Sequence, residues 1–337
     1  MKTKLFQLIY RVLKFLNAPL KNIIKLSNFV NLIIFSFFSK GKYIVRDESS
    51  FMFAESFVKY YLLGGSYDEN KFILDLKKDL DETSCVLVDE ILKRFEYIYT
   101  HSLMDTDQFF NQEELKEQSL LDRERKSKNN LPGFVDEVIS FYHNGLKLLP
   151  AEVKKSLIGT DVVDAGAFWG DSSVIFNKEY DFHKIYAFEP EKNNFSKLVT
   201  NIKENNLSNV LAVEKGVGDF VGQIKIKSQG PGSYVGDAGD ESINIVTIDD
   251  FVGKNNANIG LIKMDIEGSE YNAVLGATET IKKFKPVLVI SIYHRGKDFF
   301  EIKPYLESLD CGYEFVIRKF NPYSLAQEIM LIAYINK

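Results

Sequence analysis

Asp161-Val162-Val163-Asp164-Ala165-Gly166-Ala167-Phe168-Trp169-Gly170-Asp171-Ser172-Ser173 passes from a short β-branched strand, through small residues, into a helix that Val174 and Ile175 continue. A strand, a glycine-bearing turn and a helix start make the outline of a ligand site. Glycine lets the backbone approach a ligand closely, and the free N–H groups of the helix start can hold an anion. Asp171 or Ser172 is placed to cap that helix.

The same alternation repeats on the C-terminal side. Residues 184–188 read as a second strand ending at Glu189-Pro190, followed by a helix over 192–205 and a strand over 209–214. The turn Lys215-Gly216-Val217-Gly218-Asp219 comes next, then a short extended piece over 221–227. Thr247 opens a short helix, 260–264 is a buried strand, 270–283 is helical, and 286–292 is a nearly continuous apolar strand ending at Tyr293-His294. Such apolar runs suit a parallel sheet covered on both faces. Two late strands, 313–320 and 328–334, are separated only by a turn with Asn321-Pro322 and read as antiparallel neighbours at one edge. Asp164, Glu189, Asp265, Glu267 and His294 all fall at carboxyl ends of predicted strands, the edge where open α/β sheets bind ligands.

The ligand is narrowed by what is missing. No GxxxxGK[ST] run occurs, which argues against a phosphate-binding P-loop. Asp164-x-Gly166-x-x-x-Gly170 breaks the dinucleotide pattern, and an acid so close to the turn repels a pyrophosphate while attracting an ammonium group. Glu189 lies 19 residues past Gly170, where a crossover places an acid able to bind a ribose diol.

The runs around residues 163–172, Ala187-Phe188-Glu189-Pro190, Gly216-Val217-Gly218-Asp219, Ile248-Asp249-Asp250-Phe251 and Ile262-Lys263-Met264-Asp265-Ile266-Glu267-Gly268-Ser269-Glu270 together resemble the FkbM family of S-adenosylmethionine-dependent methyltransferases. The resemblance covers about residues 158–337, and Lys-x-Asp-x-Glu-Gly-x-Glu at 263–270 is its distinctive part. It implies an α/β fold, the seven-stranded, Rossmann-like class I methyltransferase sheet with a reversed edge strand. It further implies an O-methyltransferase acting on a hydroxyl of a sugar, glycan or lipid-linked glycan precursor, with S-adenosyl-L-methionine as cofactor. By the same resemblance Asp164, Gly166 and Gly170, with Ala167 and Phe168 between them, surround the methionine part. Glu189 takes the ribose hydroxyls, and Val217 and Gly218 border the adenine. Asp265 and Glu267 sit beside the methionine end and the acceptor.

Methyl transfer to oxygen needs a group that removes the hydroxyl proton. The candidates are His294 and Asp265, with Glu267 orienting the acceptor or replacing one of them. His294 titrates nearest neutrality and is the preferred base. Asp265, Glu267 and His294 are also an acceptable set for a hard divalent cation, but metal-free transfer needs no such site, and no metal is expected. Trp169 is expected to pack the turn, and Tyr293 either lines the acceptor site or packs beneath it.

Composition locates this chemistry. The chain has 337 residues and a formal net charge of −5, but residues 1–46 hold nine of its 42 Lys and Arg and none of its 47 acids. The remaining 291 residues carry a net −14, which argues against a nucleic-acid partner. Cys85 and Cys311 are too few for a disulfide framework. The basic head is strongly apolar, yet its longest run, 29–39, is about half of what a membrane span needs. It reads either as a packing helix, on the body or on a second subunit in a homo-oligomer, or as a peripheral membrane contact that brings a cytoplasmic enzyme to the inner face of the membrane. Residues 47–157 form a mainly helical accessory or substrate-cap region, with helices over 72–80, 85–99, 134–142 and 151–157. In it His101 and His143 stand alone, and 112–130 is an exposed helix or loop. A different reading, a non-catalytic membrane-associated scaffold that keeps the fold, rests on the basic head and on Phe168, where many FkbM members carry Asn.

Overall fold

Unbroken apolar runs become the interior of a sheet because both of their faces must be covered. In the computed structural model the described residues are 43–45, 48–62, 69–100, 103–105, 110–127, 132–227, 234–235 and 241–336. The basic head apart from Tyr43–Val45, together with His101 and Phe109, lies outside them. Seven strands form the main sheet: β1 (Asp161–Ala165), β2 (Lys184–Phe188), β3 (Val210–Val213), β4 (Ile259–Met264), β5 (Val287–Ser291), β6 (Glu314–Lys319) and β7 (Ile329–Tyr334). Their order is β6-β7-β5-β4-β1-β2-β3. All are parallel except β7, which runs antiparallel to both β5 and β6. The reversed strand is thus one place in from the edge: the chain leaves β6 and returns between β6 and β5.

Alternate residues feed two cores. Val163, Ile262, Leu288 and Ile290 enter one, and Val162, Leu261, Val287 and Val289 the other. The register sets Lys263 beside Asp164 across β4 and β1.

Twelve α-helices are described: α1 (Glu48–Leu62), α2 (Glu69–Lys77), α3 (Glu82–Thr100), α4 (Gln112–Ser127), α5 (Glu137–Tyr142), α6 (Ala151–Ser156), α7 (Asp171–Glu179), α8 (Lys192–Glu204), α9 (Ile248–Asn255), α10 (Glu270–Leu275), α11 (Thr278–Phe284) and α12 (Gly296–Ser308). The single helix expected over 270–283 is split into α10 and α11. Gly276 sits at the break, where an added Cβ would overlap the Gly218 carbonyl.

The N-terminal helices share a core with the sheet. Phe57 of α1 packs on Phe95 of α3 with ring centroids 4.5 Å apart, and on Phe300 of α12 at 5.0 Å. Arg94 of α3 donates both terminal nitrogens to Glu114 of α4 (2.7 and 2.9 Å), and Lys319 of β6 donates to the same carboxylate at 2.8 Å. Ser84, fully buried, accepts the Ile317 N–H of β6 at 2.8 Å and the Arg318 guanidinium at 2.8 Å. Ser84→Ala leaves that strand N–H unpaired and is expected to lower unfolding free energy by about 1–3 kcal/mol, read by urea denaturation.

A second sheet was only partly legible, as the 221–227 piece. It comprises Gly216–Val217, Gly222–Lys227, Tyr234–Val235 and Glu241–Val246. Ile243 and Ile245 alternate along the last of these and pack with Ile224. Among the described residues, no helix is long and apolar enough to cross a membrane.

Candidate functional site

At the carboxyl ends of β1, β2 and β4 lies a cleft of about 340 Å³. Its first wall is the glycine turn. Gly166 has φ +76°, and a Cβ there would land on the Asp265 carbonyl, so only glycine fits between β1 and β4. The N–H groups of Gly166 and Ala167 donate to the Phe188 carbonyl at 3.0 and 2.9 Å, pinning the turn to β2. Phe168 lines the cleft at φ +48°, its ring stacked on Trp169 at 4.6 Å. Trp169 itself packs outward, donating from its indole to Asn194 at 3.1 Å beneath the Lys197 ammonium.

Glu189 forms the second wall. One carboxylate oxygen accepts the Phe168 N–H and the other the Glu191 N–H, both at 3.0 Å. Burial pushes its pKa up to about 7. Val217, Ile224, Ile243 and Ile245 supply an apolar flank nearby.

The third wall is the 263–270 run, and each polar position in it has a separate task. Lys263 is buried, donates to the Gly166 carbonyl at 2.9 Å and stands 3.3 Å from Asp164. Asp164, fully buried, also accepts from the Ser173 hydroxyl at 2.7 Å. Burial opposes the charge of Lys263, but the Asp164, Asp265 and Asp171 carboxylates outweigh it and hold the ammonium protonated. Asp265 and Glu267 face the cleft. Glu267 takes φ +55° and Gly268 φ +92°, so the turn closes over Glu270. Glu270, with no exposure, accepts the Ile266 and Gly268 N–H groups, each at 2.8 Å.

His294 stands behind this wall. Its Nδ1 lies 2.8 Å from Glu270, and its Nε2 lies 3.5 Å from Glu267 and 3.7 Å from Asp265. Burial alone would lower its pKa, but Glu270, Asp265 and Glu267 together raise it to about 10. Burial pushes Glu267 up to about 7 despite the nearby imidazole. Phe53 of α1 closes the far side, with ring centroids 5.5 Å from both Tyr293 and His294.

The cleft therefore brings together Gly166, Phe168, Glu189, Val217, Asp265 and Glu267. Asp164 does not reach it and acts through Lys263. Ala167, Gly170 and Gly218 shape its backbone without lining it. His294, the preferred base in the sequence, is not among the residues that line the cleft, whereas Asp265 and Glu267 are. Sequence reasoning missed Ile224, Ile243 and Ile245, whose period-two alternation was the available signal. It also missed the bracing role of Glu270.

Residues 164–315 match the family described as the methyltransferase FkbM domain. Methyltransferase 1 of Beauveria bassiana (strain ARSEF 2860) is 26% identical over 174 residues, covering 44% of this chain and 70% of that protein. The crystal structure of methyltransferase FkbM from Methylobacillus flagellatus KT superposes with a TM-score of 0.54 at 20% identity, over 79% of this chain. The chain spans 58% of the length of that structure, and the likeness is one of fold.

Proposed function

From the match of residues 164–315 to the methyltransferase FkbM domain, we propose that the protein transfers a methyl group to a hydroxyl oxygen of a sugar, glycan or lipid-linked glycan precursor. The observation that carries this reading is a single cleft joining Glu189, at the end of β2, to Asp265 and Glu267, at the end of β4. S-adenosylmethionine, when bound, supplies a methyl group on a sulfonium sulfur, which departs as a neutral thioether with the carbon–sulfur electron pair.

The residues present fit that cofactor. Glu189 would accept the ribose hydroxyls with the lone pairs its two backbone bonds leave free. The apolar flank of Val217, Ile224, Ile243 and Ile245 would take the adenine, and the backbone at Gly166 and Phe168 the methionine end. Asp265 and Glu267 favour a cationic centre beside them. As the new carbon–oxygen bond forms, the acceptor proton passes to this carboxylate pair, with Glu267, whose pKa near 7 suits the task, as the receiving group. Asp136, Asn321 and Glu328 add polar partners along the cleft, as a hydroxyl-rich acceptor requires. The net −14 of the chain beyond the head weighs against a nucleic-acid acceptor.

Calorimetric titration of the protein with S-adenosylmethionine tests the donor half, and no detectable heat at millimolar cofactor would sink it. For the chemical half, Glu267→Gln is expected to lower kcat by about 10²–10⁴-fold while leaving cofactor affinity nearly unchanged. Equal losses in both would remove the assignment.

A further inference from the structure

We propose that the aromatic face of Phe168 holds the sulfonium of S-adenosylmethionine by a cation–π contact, so that the seat prefers the charged donor to the neutral thioether left after transfer. This rests on the methyl-donor reading above and goes further, to one side chain and to the charge state that it distinguishes. Phe168 lines the cleft, whereas Trp169 does not. The two rings are nearly parallel, with 11° between their planes and 4.6 Å between their centroids. Trp169 therefore covers one face of Phe168 and leaves the other toward the cleft. Trp169 is fixed in turn. Its indole donates to Asn194 at 3.1 Å, its carbonyl accepts from the Asn201 amide at 2.9 Å, and the Lys197 ammonium stands 3.9 Å from its ring centroid. The ring offered to the cleft is thus braced from behind.

The backbone decides what that face meets. The Phe168 N–H donates to Glu189 at 3.0 Å, and the Gly166 and Ala167 N–H groups are tied to the Phe188 carbonyl. Glu189 is the proposed ribose partner, and the backbone at Gly166 is the proposed seat of the methionine end. The sulfonium sulfur joins ribose to methionine, so Phe168 is the side chain at that junction. A sulfonium has no N–H or O–H to donate and cannot hydrogen-bond a carboxylate. The negative face of an aromatic ring is a partner suited to it. Conformation supports the same use. Phe168 holds φ +48°, a region that Asn and Gly visit readily and a bulky side chain does not. A large ring kept in so unfavourable a turn, at the wall of a ligand cleft, points to a role for the ring itself. The attraction ends with the reaction, because the sulfur loses its charge when the methyl group leaves.

The test is calorimetric titration of the full chain with S-adenosylmethionine and with S-adenosylhomocysteine, read as the ratio of the two Kd values. Phe168→Leu keeps apolar bulk and removes the π face. It is expected to weaken S-adenosylmethionine by about 3- to 30-fold and S-adenosylhomocysteine by less than about two-fold. Phe168→Tyr should keep the wild-type ratio. Phe168→Asn, a residue type at ease in the left-handed region, should shift the ratio in the same direction as Phe168→Leu and guards against misfolding of that variant; thermal unfolding checks both. A ratio unchanged in Phe168→Leu and Phe168→Asn overturns the proposal and leaves the methyl-donor reading standing. No binding of either ligand to wild type at millimolar concentration overturns both.

Discussion

Lys263→Met is expected to lower unfolding free energy by about 3–5 kcal/mol, because it removes the partner of a carboxylate that has no access to water. Asp164 is fully buried, and Lys263 is 3% exposed and 3.3 Å from it. Methionine fills the volume but leaves an uncompensated charge between two central strands and frees the Gly166 carbonyl. Urea denaturation gives the loss directly. The double variant Lys263→Met with Asp164→Asn should recover a large part of it, since the remaining side chain is neutral and keeps its bond to Ser173. A single-variant loss below about 1 kcal/mol would mean that the pair contributes little beyond packing.

Glu189→Ala is expected to weaken S-adenosylmethionine binding by about 2–3 kcal/mol, roughly 30- to 150-fold in Kd. It loses the proposed ribose contact and also frees the N–H of Phe168, which positions the turn. A pH dependence follows. Burial raises this carboxyl to about 7 in the folded protein, so below that pH it is protonated and one oxygen no longer accepts. Cofactor affinity should therefore fall as pH drops through about 7, by up to about ten-fold per pH unit. Stability moves in the opposite sense. The folded state holds this proton more tightly than the unfolded chain, whose ordinary value is 4.5, so stability contributed by the neutral acid is lost as pH rises from there toward 7 and above. Calorimetry of Glu189→Gln should show the affinity trend flattened; an unchanged trend would assign the titration to another group.

The central sheet was legible because its strands are buried on both faces and announce themselves as runs such as Val287–Ser291. The glycine turn and the acids at strand ends were legible for a related reason: a carboxylate straight after an apolar run sits where the sheet opens. Less visible was what depends on two distant stretches meeting. Lys263 and Asp164 are neighbours only through strand register, so Asp164 looked like a ligand group when it is a buried counter-ion. That His294 faces Glu270, Glu267 and Asp265 together was likewise invisible, because the three carboxylates meet it only through the fold. The Ile243–Ile245 flank follows an interrupted stretch between 221 and 246, and its alternation was too short to stand out.

Phe53 comes from α1, far upstream of the methyltransferase match, and its ring rests on Tyr293 and His294. The residues proposed to grip the cofactor lie entirely within 164–315, while Tyr293 and His294 are propped by a separate part of the chain. Under the proposed function, changes in the first third of the protein would alter the support of Tyr293 and His294 without touching the residues proposed for the cofactor.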